Sequence, residues 1–173
     1  MPSVPSNTYG VITLDGSQYV ERFQLFVMEN TITTSRQVIT NQRLTLPGVA
    51  NFLLKGMTRD FTTPTVQGSA DRRFRFRILN QEGSTNFFSG GLGMYDDRAY
   101  DNICFGSGQF PYPIIPPIPV HASGSLIYEI EDSGLGTLYP YTIHFGFNGT
   151  YLIPLEEAPF MQSFIYQVAP KGS

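Results

Sequence analysis

The chain has 173 residues, a formal net charge of −3 and 14% charged residues, against about 25% in ordinary globular proteins. This length fits one domain, and the small negative charge excludes a field that would attract nucleic acid or an anionic membrane. A single cysteine excludes an internal disulfide, and the first residues lack the pattern of a secretory signal, so we expect residence inside a cell. The high counts of Gly (17), Pro (13), Phe (14) and Tyr (10) favour strands and turns over helices.

Residues 1–35 are predicted to form an N-terminal arm or edge segment. Its one apolar patch is "YVERFQLFVM". Phe23, Leu25 and Val27 alternate as in a strand, whereas Phe23 and Phe26 have near-helical spacing, so periodicity leaves both open. We favour a strand or an extended arm.

Residues 36–173 are predicted to form a single antiparallel β-sandwich that is jelly-roll-like in strand number. About eight short runs with strand-like patterns are separated by turn signals, and one of them is interrupted by Gly56, which indicates a bulge. Three runs alternate clearly, and their predicted core faces are Phe74, Phe76 and Ile78; Leu126, Tyr128 and Ile130; and Tyr141, Ile143, Phe145 and Phe147.

Two of these strands carry opposite charges on their second faces. Arg73, Arg75 and Arg77 alternate with the core residues of "RRFRFRIL", and Glu129 and Glu131 do so in "SLIYEIED". If the two strands are neighbours, these side chains form cross-strand ion pairs. The alternative is that each strand presents a solvated face.

The reactive side chains are few, and we predict no catalytic, cofactor or metal site. Cys104 as a nucleophile with His121 or His144 as its base is the one enzymatic arrangement that the sequence offers. Cysteine is more often a buried core residue, and His144 lies in an ordinary strand pattern. We therefore expect the chain not to be an enzyme.

The loop "YDDRAYDN" offers two further interpretations. Asp96, Asp97 and Asp101 supply oxygen ligands of the kind that calcium requires, but they lack the spacing of a calcium loop, and Arg98 supplies a counter-charge. Tyr95 and Tyr100 could form a platform for a glycan, although the absence of tryptophan weakens this interpretation. A solvated or arginine-paired loop is the simpler alternative.

The most unusual stretch is the proline segment, residues 110–120, "FPYPIIPPIPV". Proline fixes φ and donates no hydrogen bond, so the segment cannot be a helix or a central strand. Either it caps the core of its own sandwich, or part of it lies on a neighbouring subunit. For the second case the predicted interface consists of apolar residues of this segment and of the N-terminal patch: Phe110, Tyr112, Ile114, Ile115, Ile118, Phe23 and Phe26.

The order "RRFRFRILN", "SGGLG", "GQFPYPIIPPIPVHASGSLIYEIED" and "PYTIHFGFNGTYLIP" resembles small β-rich structural proteins in the particles of tailed bacteriophages. The resemblance covers residues 72–154 and is one of style rather than of a diagnostic motif. It is greatest to capsid decoration, or cement, proteins.

The resemblance implies a sandwich fold, a location in the virion after assembly in the host cytoplasm, and a non-enzymatic role in clamping coat-protein units. The implied partners are the major capsid protein or other virion proteins, with further copies of the chain in a homo-oligomer and without nucleic acid or membrane. A neck or tail component, or a glycan- or receptor-binding module of a virion, is the alternative.

Overall fold

The computed structural model describes residues 11–48, 50–62, 73–88, 98–106, 110–135 and 139–157. Within these ranges the chain is an all-β sandwich of two antiparallel sheets, as predicted. The strands are β1 (Val11–Leu14), β2 (Ser17–Ile32), β3 (Val38–Thr45), β4 (Asn51–Thr62), β5 (Phe74–Leu79), β6 (Ala99–Tyr100), β7 (Tyr112–Val120), β8 (Ser125–Asp132) and β9 (Tyr141–Pro154), with a short helix α1 (Asp101–Cys104). The five-stranded sheet has the order β1-β2-β9-β4-β7, and the four-stranded sheet has the order β3-β8-β5-β6. Within these ranges there is no helix that is long and apolar enough to span a membrane.

The core lies between the two sheets and is largely aromatic. The ring of Phe76 on β5 lies 5.4 Å from that of Phe145 on β9, and the ring of Tyr128 on β8 lies 5.6 Å from that of Phe147. The core faces predicted from the three alternating runs are all buried. Alternation therefore identified these strands correctly, because successive side chains of a strand point to opposite faces.

A partly buried polar contact also joins the two sheets. The Tyr128 hydroxyl donates a hydrogen bond of 2.9 Å to Asn30 Oδ1 on β2, and Asn30 Nδ2 donates one of 3.2 Å to Gln42 on β3. Burial raises the pKa of Tyr128 to about 12, so its proton stays in place to make this bond at neutral pH. The contact fixes β2 over the four-stranded sheet.

Residues 11–32 hydrogen-bond into the five-stranded sheet. β1 forms its edge, and β2 pairs with β9 continuously from Tyr19 to Ile32. The near-helical spacing of Phe23 and Phe26 is therefore not the period of the structure, and the strand alternative was right. The inward side chains of β2 end at Ile32, which is fully buried.

Arg75 and Arg77 form the predicted ion pairs with the glutamates of the neighbouring strand. β5 pairs with β8 so that Arg75 lies opposite Glu131 and Arg77 opposite Glu129, and the closest N···O distances are 2.5 and 2.6 Å. Arg98 reaches over to both glutamates at 3.0 Å. Arg73 lies instead with its guanidinium carbon 4.8 Å from the centre of the Tyr141 ring. Only 6% of Glu129 is exposed, so it is a nearly buried carboxylate between two guanidinium groups.

We expect Glu129→Lys to lower the free energy of unfolding by about 3 kcal/mol or more, because it places a positive charge at a nearly buried position between the partly buried guanidinium groups of Arg77 and Arg98. Glu82→Lys, at an exposed turn residue, makes the same change in net charge and should cost less than about 0.5 kcal/mol. Urea unfolding measures both. Equal losses for the two variants would show that the buried ion pairs do not stabilise the sandwich.

A second buried carboxylate lies at one end of the core. Asp132 is 1% exposed and accepts hydrogen bonds from the hydroxyls of Tyr141 (2.6 Å) and Tyr139 (2.7 Å) and from the backbone N–H groups of Arg36 and Gly134 (both 2.9 Å). Burial alone would raise the pKa of Asp132, but these four bonds to the charged form outweigh it and lower the pKa below its usual 3.8. The carboxylate thus joins the β2–β3 connection, the β8–β9 connection and the start of β9 to the end of β8.

Asp132→Asn should lower the free energy of unfolding at pH 7 by about 3 kcal/mol, since charge-assisted hydrogen bonds to a buried group are lost. Because the folded-state pKa is the lower one, the contribution of Asp132 is complete above its unfolded-state pKa. This contribution to stability is lost as the pH falls below about 4 and then through the folded-state pKa. Unfolding curves of both proteins between pH 7 and pH 2 measure this difference. A difference that stays constant down to pH 2 would contradict the assignment.

Candidate interaction surface

The proline segment forms β7, an edge strand of the five-stranded sheet. Among the strands that the structure describes it pairs with β4 alone, which confirms the prediction that it is neither a helix nor a central strand. Pro113, Pro116, Pro117 and Pro119 lie within the strand and have no N–H group to offer to a further strand. Prolines in this position protect an edge against pairing with the strands of other molecules.

A large bulge interrupts the pairing of β7 with β4. Ile118 lies opposite Leu54 and Pro113 opposite Gly56, so residues 114–117 face the single residue Lys55. Gly56, where the sequence predicted a bulge, permits the close approach, because a Cβ there would lie 3.1 Å from the carbonyl oxygen of Tyr112. These extra residues have no partners in the ladder.

The bulge divides the predicted interface residues of the proline segment into two groups. Phe110, Tyr112 and Ile115 are 75%, 44% and 86% exposed, and we call these three side chains the apolar knob. Ile118 is 5% exposed, and Ile114 is partly buried; both pack on the core of their own sandwich. Those two residues are therefore removed from the predicted interface, because the segment caps its own core with one face and exposes the other.

The N-terminal patch is divided in the same way by the two faces of β2. Phe26 points inward, with its ring 5.4 Å from that of Phe52, so it belongs to the core and not to an interface. Phe23, Leu25 and Val27 point outward and are 66%, 43% and 63% exposed. We call these three side chains the apolar stripe. Leu25 and Val27 were missed as interface candidates, although their alternation with Phe23 was the signal that could have identified them.

A groove of about 380 Å³ runs beside the apolar stripe on the outer face of the five-stranded sheet. Leu25 and Val27 of β2 form one wall, Thr58 of β4 forms the other, and Gly146 of β9 lies between them. A Cβ at residue 146 would lie 2.2 Å from Thr58 Oγ1 and 3.3 Å from Leu25 Cδ1. The groove therefore exists because the central strand has no side chain at this position.

Polar side chains form one end of the groove. Thr62 Oγ1 lies 2.8 Å from His144 Nε2, and His144 Nδ1 lies 3.7 Å from Glu29 Oε2. A hydroxyl, an imidazole and a carboxylate in series occur in hydrolytic triads. Here the second distance is too long for a hydrogen bond, and Glu29 is 64% exposed, so the carboxylate does not fix the imidazole. The row is a polar rim of the groove.

The enzymatic interpretation based on Cys104 does not fit the structure. Cys104 is 4% exposed, and its thiol donates a hydrogen bond to the carbonyl oxygen of Tyr100 at 3.4 Å. Burial raises the pKa of the Cys104 thiol far above its usual value, and the nearby charge of Asp101 raises it further. The nucleophilic thiolate is therefore not formed at neutral pH.

The acidic loop and the tyrosine platform lie partly outside the described residues, which exclude Asp96, Asp97 and Tyr95. Asp101 is fully buried and is bound by Arg59, with 2.7 Å between Arg59 Nε and Asp101 Oδ2. Its carboxylate therefore serves an internal ion pair. Among the described residues, no group of three or more His, Cys, Asp or Glu side chains is placed to hold a metal ion.

A buried hydroxyl without a hydrogen-bond partner among the described residues lies at a small cavity of about 210 Å³. It belongs to Tyr151, which is 6% exposed and whose pKa is raised by burial. The cavity is also lined by Arg22, Phe26, Pro47 and Ile153. An unpaired buried hydroxyl destabilises a fold, because it has lost its hydrogen bonds to water.

Tyr151→Phe should therefore raise the free energy of unfolding by about 1 kcal/mol, since it removes the unpaired group and keeps the ring contacts. Tyr141→Phe is the matched control and should lower it, because the Tyr141 hydroxyl binds Asp132 at 2.6 Å. Thermal unfolding of both variants measures the two signs. A loss of stability in Tyr151→Phe would show that the hydroxyl has a binding partner in solution.

Comparisons with known proteins give only distant likenesses. No protein-family model matches the chain, and no curated protein sequence matches it. Among solved structures, the chain is similar to the VP2 subviral particle of infectious bursal disease virus, with 14% identity, a TM-score of 0.34, and coverage of 97% of this chain and 52% of that one. It is also similar to the structure of the Gx strain of the same virus, with 16% identity, a TM-score of 0.32, and coverage of 93% and 48%. The chain thus spans about half the length of these structures, and the TM-scores are too low to carry an argument about function.

Proposed function

We propose that this protein is a non-enzymatic structural component of a virus particle, and specifically a decoration (cement) protein of a bacteriophage capsid. In this role it stabilises the shell by burying apolar surface on neighbouring subunits. The observation that carries the proposal is the apolar knob, which projects from a sheet edge that its own prolines close. A neck or tail component would use the same surface at another position of the particle.

The knob has the chemistry of a contact surface. Ile115 is 86% exposed and Phe110 is 75% exposed, and no charged residue occurs in residues 110–120. Burying one large aliphatic side chain contributes about 2 to 3 kcal/mol before the costs of ordering are subtracted. A contact of this kind needs no desolvation of charge. Large exposed apolar groups mark sites where a protein meets a partner.

The prolines also favour binding by reducing the entropy that is lost on docking. Proline restricts φ both in the free and in the bound state, so a proline-rich bulge is ordered before it meets a partner. The cement role gains further from repetition, because many weak contacts on one shell act together. A modest single affinity is then sufficient.

The other groups of the molecule support a structural role. The thiol of Cys104 is buried and protonated, and the carboxylates of Asp101 and Asp132 are occupied by internal partners. The imidazole of His144 lies on an open sheet face without a carboxylate at hydrogen-bond distance. The buried thiol and the two buried carboxylates therefore serve the sandwich itself, and the knob remains an exposed apolar surface for a partner.

The test uses particles purified from the virus that encodes the chain. We expect the wild-type protein in these particles at a fixed number of copies per coat protein, as measured by mass spectrometry. Added to particles stripped of it, Ile115→Asp should bind at least tenfold more weakly, because an aspartate must be desolvated in an apolar contact. Leu135→Asp, at a loop residue that is 68% exposed, is the matched control and should bind like the wild type. Absence from the particles, or unchanged binding of Ile115→Asp, would overturn the proposal.

A further inference from the structure

The apolar knob has a complementary surface on the same chain. We propose that the knob of one copy docks on the apolar stripe and groove of a second copy, and this inference rests on the proposed structural role. The contact is head-to-tail: one copy supplies Phe110, Tyr112 and Ile115, and the next supplies Phe23, Leu25 and Val27. The five-stranded sheet thus carries both halves of an assembly interface.

The two halves cannot meet within one copy. β2, which carries the stripe, is separated from β7 by β9 and β4 in the sheet order. At about 4.8 Å between neighbouring strands, this places them roughly 14 Å apart across the sheet. Both halves are accordingly exposed in the single chain, with Ile115 at 86% and Phe23 at 66%. A contact between them must join different copies.

The groove has the size and chemistry to receive Ile115. At roughly 30 Å³ per heavy atom, the four side-chain carbons need about 120 Å³. The groove of about 380 Å³ leaves additional room for part of an aromatic ring. Its walls are Leu25, Val27 and Thr58, and the exposed Asp60 and the partly exposed His144 also line it. The uncharged knob can therefore rest on Leu25 and Val27, with these polar side chains beside it.

The combined area is close to that of a specific contact. Together, the exposed parts of the six side chains have an area of about 750 Å² when a whole large side chain counts for about 200 Å². Exposed Pro111, Pro113 and Pro116 flank the knob and add to this area. A specific interface needs about 1,000 Å² or more, so we expect a weak contact in the micromolar range.

The symmetry of the contact follows from its two different halves. A surface that binds a different surface on the next copy produces a ring when the rotation closes and an open chain when it does not. Each copy then uses its knob and its stripe once. The same geometry makes neighbouring copies reinforce one another on a shell, which fits the proposed cement role.

The experiment measures the mass of the full-length protein in solution by sedimentation velocity between about 1 and 100 μM. We expect the wild type to form oligomers as its concentration rises, whereas Ile115→Asp and Val27→Lys each weaken the association at least tenfold. Two matched controls, Leu135→Asp and Val38→Lys, alter residues that are 68% and 47% exposed outside the proposed contact and should associate like the wild type. Circular dichroism and thermal unfolding verify that all four variants remain folded.

A mixture of the two defective variants tests the head-to-tail arrangement. Ile115→Asp retains an intact stripe and Val27→Lys retains an intact knob, so the mixture should form one-to-one pairs and nothing larger. Loss of association by Val27→Lys alone would indicate a stripe-to-stripe dimer and overturn the proposal. A wild-type protein that stays monomeric at 100 μM would also overturn the proposal, because the stripe would then bind some partner other than a second copy.

The outcome is separable from that of the proposed function. A monomeric wild type that binds particles through Ile115 would overturn the contact between copies and leave the cement role standing. If the Ile115→Asp substitution dissociates the oligomers but the protein is absent from particles, the contact between copies is supported and the cement role is overturned.

Discussion

Aromatic packing between β9 and the facing pair of β5 and β8 is the interaction on which the rest of the structure depends. Phe145 of β9 contacts Phe76 of β5 and Tyr128 of β8, with ring centres 5.4 and 5.8 Å apart. Since side chains alternate along a strand, this contact determines which residues of β9 point outward. Gly146 is one of them, so the groove on the outer face is a consequence of the core on the inner face.

The same constraint passes to β2 through its long pairing with β9. Phe26 lies opposite Phe147 and points into the core, and therefore Leu25 and Val27 must point away from it. A shift of one residue in the register would bury the apolar stripe and expose Phe26. The hydrogen bond from the Tyr128 hydroxyl to Asn30 opposes such a shift, because Asn30 would then face water and the hydroxyl would lose its acceptor.

Alternation of side chains was sufficient to predict much of the fold. It gave the core faces of β5, β8 and β9, and charge complementarity between Arg77 and Glu129 gave the pairing of β5 with β8. Contacts between distant residues could not be predicted in this way. Asp132 accepts a hydrogen bond from the backbone N–H of Arg36, which lies 96 residues away in the sequence, and no local pattern encodes that meeting. For the predicted interface, composition could not separate buried from exposed members, since Ile118 and Ile115 differ in their position relative to a bulge.

The proline segment is apolar and yet protected against unspecific strand pairing, two properties that a regular edge strand cannot combine. An ordinary edge offers backbone N–H and C=O groups to any passing strand, so an apolar edge strand is prone to unspecific pairing. Prolines remove these donors, and the bulge opposite Lys55 takes the most exposed part of the segment out of the ladder. In the proposed contacts a partner therefore meets chiefly side chains, above all Ile115. Recognition through side chains requires a surface of matching shape, whereas recognition through a backbone edge does not. Prolines can therefore make an apolar edge selective without making it polar, and this is the physical reason for placing so apolar a segment at the rim of the sheet.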